Sequence, residues 1–206
     1  MMTSPLPPLW PQTADRILDT LRKRLKTKRY HHTLGVLSTA LSLAQSHGLD
    51  PEPVAWVALL HDMCKAGKRE EIREIAEGFG ETIPSEDEGF PGLWHAWAAA
   101  GEARSEWGIE SPELLDAIRH HSTGHPEMRE LGWTLMLSDF LEPTRGLNGR
   151  GDLRALAHRD LQAAFAEMLQ RKLDHMRGKG GDIHPRALET LEAVRVAAEI
   201  SPDQEV

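Results

Sequence analysis

Apolar positions recur every three or four residues along almost the whole chain, and no stretch alternates apolar and polar residues as a half-buried strand would. The pattern predicts an all-α protein. Residues 1–11 carry Pro5, Pro7, Pro8 and Pro11 and are expected to be irregular. Thr13 is placed to cap a first helix with Ile17, Leu18, Leu21 and Leu25 on one face. A second helix is expected from about Lys28 to His47, with Leu34, Leu37, Leu41 and Ala44 inward and Gly48 as its stop. Asp50 then caps a third, with Pro51 at its first position. This helix is apolar nearly all round from Val54 to Leu60, so it belongs at the centre of the fold.

A charged helix follows from Lys68 to Glu77, and the Gly-, Pro- and acid-rich segment from Gly78 to Gly92 reads as a loop. Helix resumes from about Leu93 to Trp107. Ser111-Pro112-Glu113 opens the next, ending near His120. Pro126 is expected to begin a helix carrying Leu131, Leu135 and Leu137 that ends before Pro143. A loop from Arg145 to Gly151 leads to two final helices, Asp152 to about Met176 and Pro185 to Glu199. The sum is a bundle of about nine helices. Its expected organisation is an irregular segment 1–11, a helical domain 12–200 and a tail 201–206.

Composition narrows the function. A chain of 206 residues suits one domain, large enough to bury roughly 70% of its unfolded surface. The net charge of -8 argues against general nucleic-acid binding, which needs a basic surface. The single cysteine, Cys64, cannot form an internal disulfide and fits a reducing compartment. The N-terminus lacks a basic start and an apolar signal core, and the longest purely apolar run, Val54 to Leu60, is far short of the roughly 20 residues that span a bilayer. A cytoplasmic protein with neither nucleic-acid nor membrane partners is expected.

Candidate chemistry lies in an ordered series: His32, then the doublet His61-Asp62, then His95, His121 and Asp139. Imidazoles and carboxylates hold borderline divalent metals such as iron, manganese and zinc. Taken singly, each residue has a plain explanation. His31 and His32 are adjacent, and a helix turn of about 100° per residue stops both from facing one site. The periodicity does not choose between them. Asp62 has Lys65 as a salt-bridge partner, but that pairing leaves His61 without a role. His95 is flanked by Trp94 and Trp97 and can pack on them, while His121 falls where a helix ends. Asp139 lies in the apolar run 135–141 and needs a partner there, for which a metal is a candidate. Packing explains each residue alone but not the set.

Four segments carry a resemblance to a known family: Arg-Tyr-His-His-Thr-Leu-Gly-Val (29–36), Ala-Leu-Leu-His-Asp-Met-Cys-Lys (58–65), Ala-Ile-Arg-His-His-Ser-Thr-Gly (117–124) and Ser-Asp-Phe-Leu-Glu-Pro-Thr-Arg (138–145). They resemble the HD superfamily of metal-dependent phosphohydrolases, and the last two look closer to its YqeK-type branch, the symmetrical diadenosine tetraphosphate hydrolases. The resemblance implies an HD-domain helical bundle. Its metal ligands would be His32, His61, Asp62 and Asp139, with His95 and His121 completing a second metal position or contacting phosphate. It favours His32 over His31, leaving His31 as a nucleotide contact. Two departures stand out: Ser122 where Thr is usual and Ser138 where Ala is usual.

The resemblance also implies one or two divalent metal ions, iron first, with manganese or another transition metal as alternatives. The substrate would be a dinucleoside polyphosphate, cleaved to two ADP by metal-activated water. Lys65, Arg119 and Arg145 would neutralise phosphate charge. Ser122 and Thr123 would join His31, His95, His121 and Asp139 in contacting substrate. His61, Asp62, Lys65, His95 and His121 form the expected catalytic set, and a homodimer is an admissible assembly. The rivals are a superfamily enzyme acting on deoxynucleoside monophosphates or guanosine alarmones, a non-catalytic metal-bound nucleotide sensor, and a helical scaffold with incidental histidines.

Overall fold

The computed structural model describes residues 6–146 and 150–200. Residues 1–5, 147–149 and 201–206 lie outside the described residues, and with them part of the expected irregular N-terminus, part of the Arg145–Gly151 loop and the whole expected tail. The described chain forms α1 (Gln12–Arg24), α2 (Thr27–His47), α3 (Pro51–Leu60), α4 (Arg69–Gly78), α5 (Trp94–Trp107), α6 (Pro112–His120), α7 (Glu130–Leu141), α8 (Gly151–Ala157), α9 (Leu161–Gly178) and α10 (Pro185–Ile200), with no strand among the described residues. None of these helices is long and apolar enough to cross a membrane.

Among the described residues ten helices stand where about nine were expected. The expected Asp152–Met176 helix is two, because Asp160 interrupts it: its side chain accepts from the Ala163 N–H at 2.9 Å and caps α9 afresh. Helix α7 starts at Glu130, later than Pro126. Residues 125–128 close a turn instead, with Met128 N–H bonded to the His125 carbonyl and Glu127 N–H to His125 Nδ1. Thr13 lies inside α1 and not at its cap, which falls at Pro11. On α2 the buried stripe runs through His32, Val36, Ala40, Leu43 and Ala44, while Leu34, Leu37 and Leu41 are only half-buried. The stripe is therefore rotated from the leucine face towards smaller residues.

Small residues on α2 suit its close packing against α3, whose residues from Val54 to Leu60 are all buried. Asp50 caps α3 as expected, accepting from Glu52 N–H at 3.0 Å. Around α3 pack α2, α5, α6 and α7. Helix α7 joins two apolar clusters: Leu131 and Leu135 belong with α1–α6, whereas Trp133, Met136 and Leu137 pack with α8–α10. The polar residues of interest lie where α3 ends, between α2, α5, α6 and α7.

The 78–92 segment contains two short 3₁₀ turns, Ser85–Asp87 and Pro91–Leu93. Its Asp87 is fully buried, accepts from Trp97 Nε1 at 2.7 Å and Arg186 Nη2 at 2.9 Å, and lies 2.9 Å from His184 Nε2. The segment is thus fastened to the start of α10.

Two glycines test the packing. A Cβ at Gly101 on α5 would stand 2.7 Å from the Phe79 Cβ, so Gly101→Ala should destabilise by about 1–3 kcal/mol. At Gly78 nothing lies within 4 Å, so Gly78→Ala should be neutral or stabilising by up to about 1 kcal/mol. Thermal denaturation checks both. At roughly 2–4 °C per kcal/mol for a chain of this size the two variants separate clearly.

Candidate metal centre

His61 immediately follows α3, and its backbone N–H still bonds the Val57 carbonyl, so the most apolar helix delivers its ring straight into the core. The ring is fully buried. Its Nδ1 hydrogen goes to the Ala58 carbonyl at 2.9 Å, which leaves a lone pair on Nε2, and that atom has no hydrogen-bond partner among the described residues. His121 repeats the device at the end of α6, with Nδ1 2.7 Å from the Ile118 carbonyl. His32 uses a carboxylate for the same purpose: Nδ1 lies 2.9 Å from Oε1 of the fully buried Glu142. Fixing one ring nitrogen of a histidine so that the other faces a cation is the usual outer support of a metal ligand.

The free atoms converge. His32, His61 and Asp62 offer ligand atoms all within 4.8 Å of one another, and so do Asp62, His95 and His121. Asp62 belongs to both groups. Asp139, near the end of α7, brings Oδ1 to 2.9 Å from His32 Nε2 without hydrogen-bond geometry. His95 Nε2 and His121 Nε2 face each other at 3.2 Å and lie 3.1 and 3.4 Å from Asp62 Oδ1. A buried, unpartnered imidazole nitrogen beside two carboxylates is the donor set of a borderline divalent cation. The residues present therefore fit such an ion.

The electrostatics agree. Burial pulls the His61 pKa down to about 4, so its lone pair is free at neutral pH. Burial likewise lowers His95 and His121. Burial works against the charge on Asp62, but His61, His121, His95 and Lys65 outweigh it and hold the carboxyl well below its ordinary value. Asp139 is also depressed: burial opposes its charge, and His32, His61 and Arg145 overcome the opposition. His32 moves the other way. Burial pulls it down, and Asp139 with Glu142 raise it beyond its usual 6.5.

Lys65 bonds Asp62 Oδ1 at 2.9 Å and Arg145 bonds Asp139 Oδ1 at 2.7 Å. Ser122 Oγ lies 3.2 Å from His121 Nε2. Other candidates from the sequence lie apart from the ligand atoms. Arg119 gives its guanidinium to Glu81 and Asp116 and stacks on Trp97. Thr123 donates to the Gly124 carbonyl, and His31 is exposed with its ring edge against Tyr30. Cys64 donates to Glu102, and burial together with that carboxylate pushes its thiol pKa up, away from ligand duty.

Two contributors went unnoticed in the sequence. Arg29, one helical turn before Thr33, bonds Asp62 Oδ2 at 3.1 Å from the opposite side to Lys65. Glu142 holds His32, accepts from Thr144 at its backbone N–H and hydroxyl, and sits over Gly35, where a Cβ would come within 2.6 Å of it. The signal was present for Glu142, a second acid three residues after Asp139 with a glycine three residues after His32, while Arg29 carried none. Outside the cluster, a groove of about 610 Å³ is lined by Lys26, Lys28, Arg29, His32, Glu142, Thr144, Arg145 and Arg150. Five of these are cations.

The sequence matches the family described as HD domain over residues 29–154. The chain belongs to the HD domain family. The matched span contains every residue of the cluster. Among curated relatives, a protein of Bacillus subtilis named symmetrical bis(5'-nucleosyl)-tetraphosphatase is 32% identical over 173 residues, covering 83% of this chain and 91% of that one. A protein of the same name from Halalkalibacterium halodurans is 34% identical over 177 residues, covering 85% and 93%. A crystal structure from Clostridium acetobutylicum, described as a predicted HD superfamily hydrolase involved in NAD metabolism, superposes with a TM-score of 0.83 at 33% identity, covering 89% of this chain and 97% of that one.

His61→Ala should lose at least half of the bound metal, read by elemental analysis after desalting, while far-ultraviolet circular dichroism keeps its helical amplitude. Because the raised His32 carries a proton that a cation must displace, affinity for Mn²⁺ should climb with pH between about 6 and 8. Calorimetry in buffers of different ionisation enthalpy should find proton release on metal binding that falls away as the pH rises through that window. A pH-independent affinity across that window would contradict the role given to His32.

Proposed function

We propose that this HD-domain chain hydrolyses diadenosine tetraphosphate symmetrically to two ADP. The observation that carries the reading is the pair of ligand groups sharing Asp62 beside a groove lined by five cations. A polyanion of modest length suits that groove, and an otherwise acidic protein would repel a nucleic acid. The names of the curated relatives support the same substrate.

In this reading His32, His61, Asp62 and Asp139 would hold one cation, and Asp62, His95 and His121 a second. Divalent ions so held supply Lewis-acid polarisation of a phosphoryl oxygen and lower the pKa of water towards neutrality. Iron is the metal we assign first, with manganese as the alternative, on the strength of a donor set of imidazole and carboxylate without thiolate. The reaction balances simply. A water oxygen bonds to one inner phosphorus, and the bond from that same phosphorus to the oxygen bridging the two inner phosphates breaks. That oxygen leaves as the terminal phosphate oxygen of the second ADP, and the protons of the water pass to it and to solvent.

The protein's own groups do the rest. Arg29 and Lys65 grip Asp62 from two sides and fix the direction of its lone pairs. Glu142 and the Ala58 and Ile118 carbonyls orient the rings of His32, His61 and His121. Arg145, reaching both Asp139 and the groove, neutralises charge on the phosphates, worth about 1.5–3 kcal/mol per charge-assisted bond. Arg119 is fully engaged with Glu81 and Asp116, so we assign it to holding α6 in place and not to the substrate.

The family match over 29–154, with α1, α9 and α10 packed onto it, supports one domain over residues 12–200. The lone, buried Cys64 is compatible with the cytoplasmic location we propose. Every residue of the cluster comes from one chain, so a homodimer is not needed to complete the site.

Incubation with ferrous iron and diadenosine tetraphosphate under anaerobic conditions, followed by chromatography, should give ADP as the sole product. AMP with ATP would place the attack on a different phosphorus, and no turnover by metal-loaded protein would sink the proposal. Arg145→Ala should raise KM for the tetraphosphate about ten-fold or more, the equivalent of one charge-assisted bond.

A further inference from the structure

A second cavity, of about 290 Å³, opens on the other flank of the cluster. Its walls are mainly apolar, from Phe90, Leu93, Leu169, Leu173 and Met176, with Ala187 of α10 beside them. Ser122 joins it to the metal centre, because its Oγ lies 3.2 Å from His121 Nε2 while its residue lines the cavity. Lys172 of α9 enters the same space, and its Nζ donates to the Ser122 carbonyl at 2.5 Å. Among the described residues no carboxylate forms an ion pair with it. A lysine held inside a largely apolar pocket by one neutral carbonyl has unspent charge directed at whatever the pocket receives.

We propose that this cavity receives one nucleoside end of the dinucleotide, its base against Phe90 and Met176, with Lys172 contacting the first phosphate at the cavity mouth. The inference rests on the tetraphosphatase reading and extends it. A molecule cut between its inner phosphates must run out from the cluster in two directions. The basic groove lies on the His32 and Arg145 side and this cavity on the His121 side, so each half has its own channel. The volume lies just below the usual range for small-ligand pockets. The mainly apolar walls carry Ser122, Thr123, Lys172, Asp182 and His184, of which Lys172 is the lysine that a phosphate would meet and the others are polar handles for a purine and its sugar. Burial lowers the Lys172 pKa, Asp139 opposes that shift, and Lys65 and Arg145 add to it, which puts the ammonium within electrostatic reach of the metal centre.

The cavity is also fixed in shape. Phe90 packs edge-on against His184 with ring centroids 4.6 Å apart, and His184 is tied to the buried Asp87. The 78–92 segment therefore forms a standing wall and not a swinging one.

The test compares the whole protein with Ala187→Trp, which fills the cavity from a half-exposed position, and with Lys172→Met. ADP and inorganic pyrophosphate serve as probes in equilibrium dialysis, with manganese present and absent, and diadenosine tetraphosphate is the substrate for kinetics. Ala187→Trp should remove one of two ADP sites, halving the ADP bound per chain at saturation, while changing pyrophosphate binding less than two-fold. Lys172→Met should weaken both probes and raise KM more than it lowers kcat. Melting temperatures show that both variants fold. Should Lys172→Met fail to fold, Ala187→Trp decides alone. Equal ADP binding by wild type and Ala187→Trp, or none by either, overturns the cavity assignment, whatever the products are. Absence of ADP among the wild-type products overturns the function instead, so the two failures are told apart.

Discussion

Asp62 is almost wholly buried and yet stays ionised, at the end of a helix with hardly a polar atom on it. That charge has to be answered from every side. Arg29 comes from α2, Lys65 from the turn after α3, His95 from α5 and His121 from the end of α6, all with an atom within 3.4 Å of the carboxylate. Removing one partner of a buried charge typically costs about 3–5 kcal/mol, because the charge left behind has no water to turn to. Four elements are thus held at fixed distances by one side chain, and the relative positions of α2, α3, α5 and α6 follow from it. Asp139 adds a second carboxylate from α7, 2.9 Å from His32 and bonded to Arg145, so the site and the bundle share one geometry.

The chain separates its charges. It carries a formal net charge of -8, yet five of its 24 lysines and arginines line the groove beside the cluster. Acids elsewhere are used to anchor. Glu81 binds Arg104 and Arg119, and Glu102 binds Arg24. A chain that is negative overall and carries a basic groove discriminates by shape and charge together: a short polyphosphate suits the groove better than a long polyanion.

Much of this was readable in the chain. The period of Val54 to Leu60 identified the central helix, the spacing of His61-Asp62 from His32, His95, His121 and Asp139 identified the cluster, and Asp50-Pro51 marked a helix start that the structure has. What escaped depends on tertiary partners. Lys172 lies in an ordinary amphipathic helix, and only the approach of Ser122 from 50 residues away distinguishes it from any surface lysine. The rotation of the α2 stripe towards Val36 and Ala40 was hidden because leucines outweigh smaller residues in any hydropathy count, while close packing against α3 prefers the smaller ones. Asp160 looked like a polar residue on a long helix, and its capping bond to Ala163 shows only once the backbone has broken. Arg119 is the reverse case. A cation next to two histidines invited a phosphate, and a buried glutamate on a different element had already claimed it.

The knot at Asp87 also has a consequence for the order of events during synthesis. Its partners from the far end of the chain, His184 and the cationic Arg186, lie 97 and 99 positions further along. Residues 29–139, which hold the whole metal-binding set, leave the ribosome well before them. Until the last helix emerges, a carboxylate destined for complete burial has the Trp97 indole but no positive charge to meet it, so the wall it anchors cannot close. Chains interrupted short of α10 would therefore carry the metal ligands on an unfinished surface, with the apolar lining of the second cavity turned to water and open to other nascent chains.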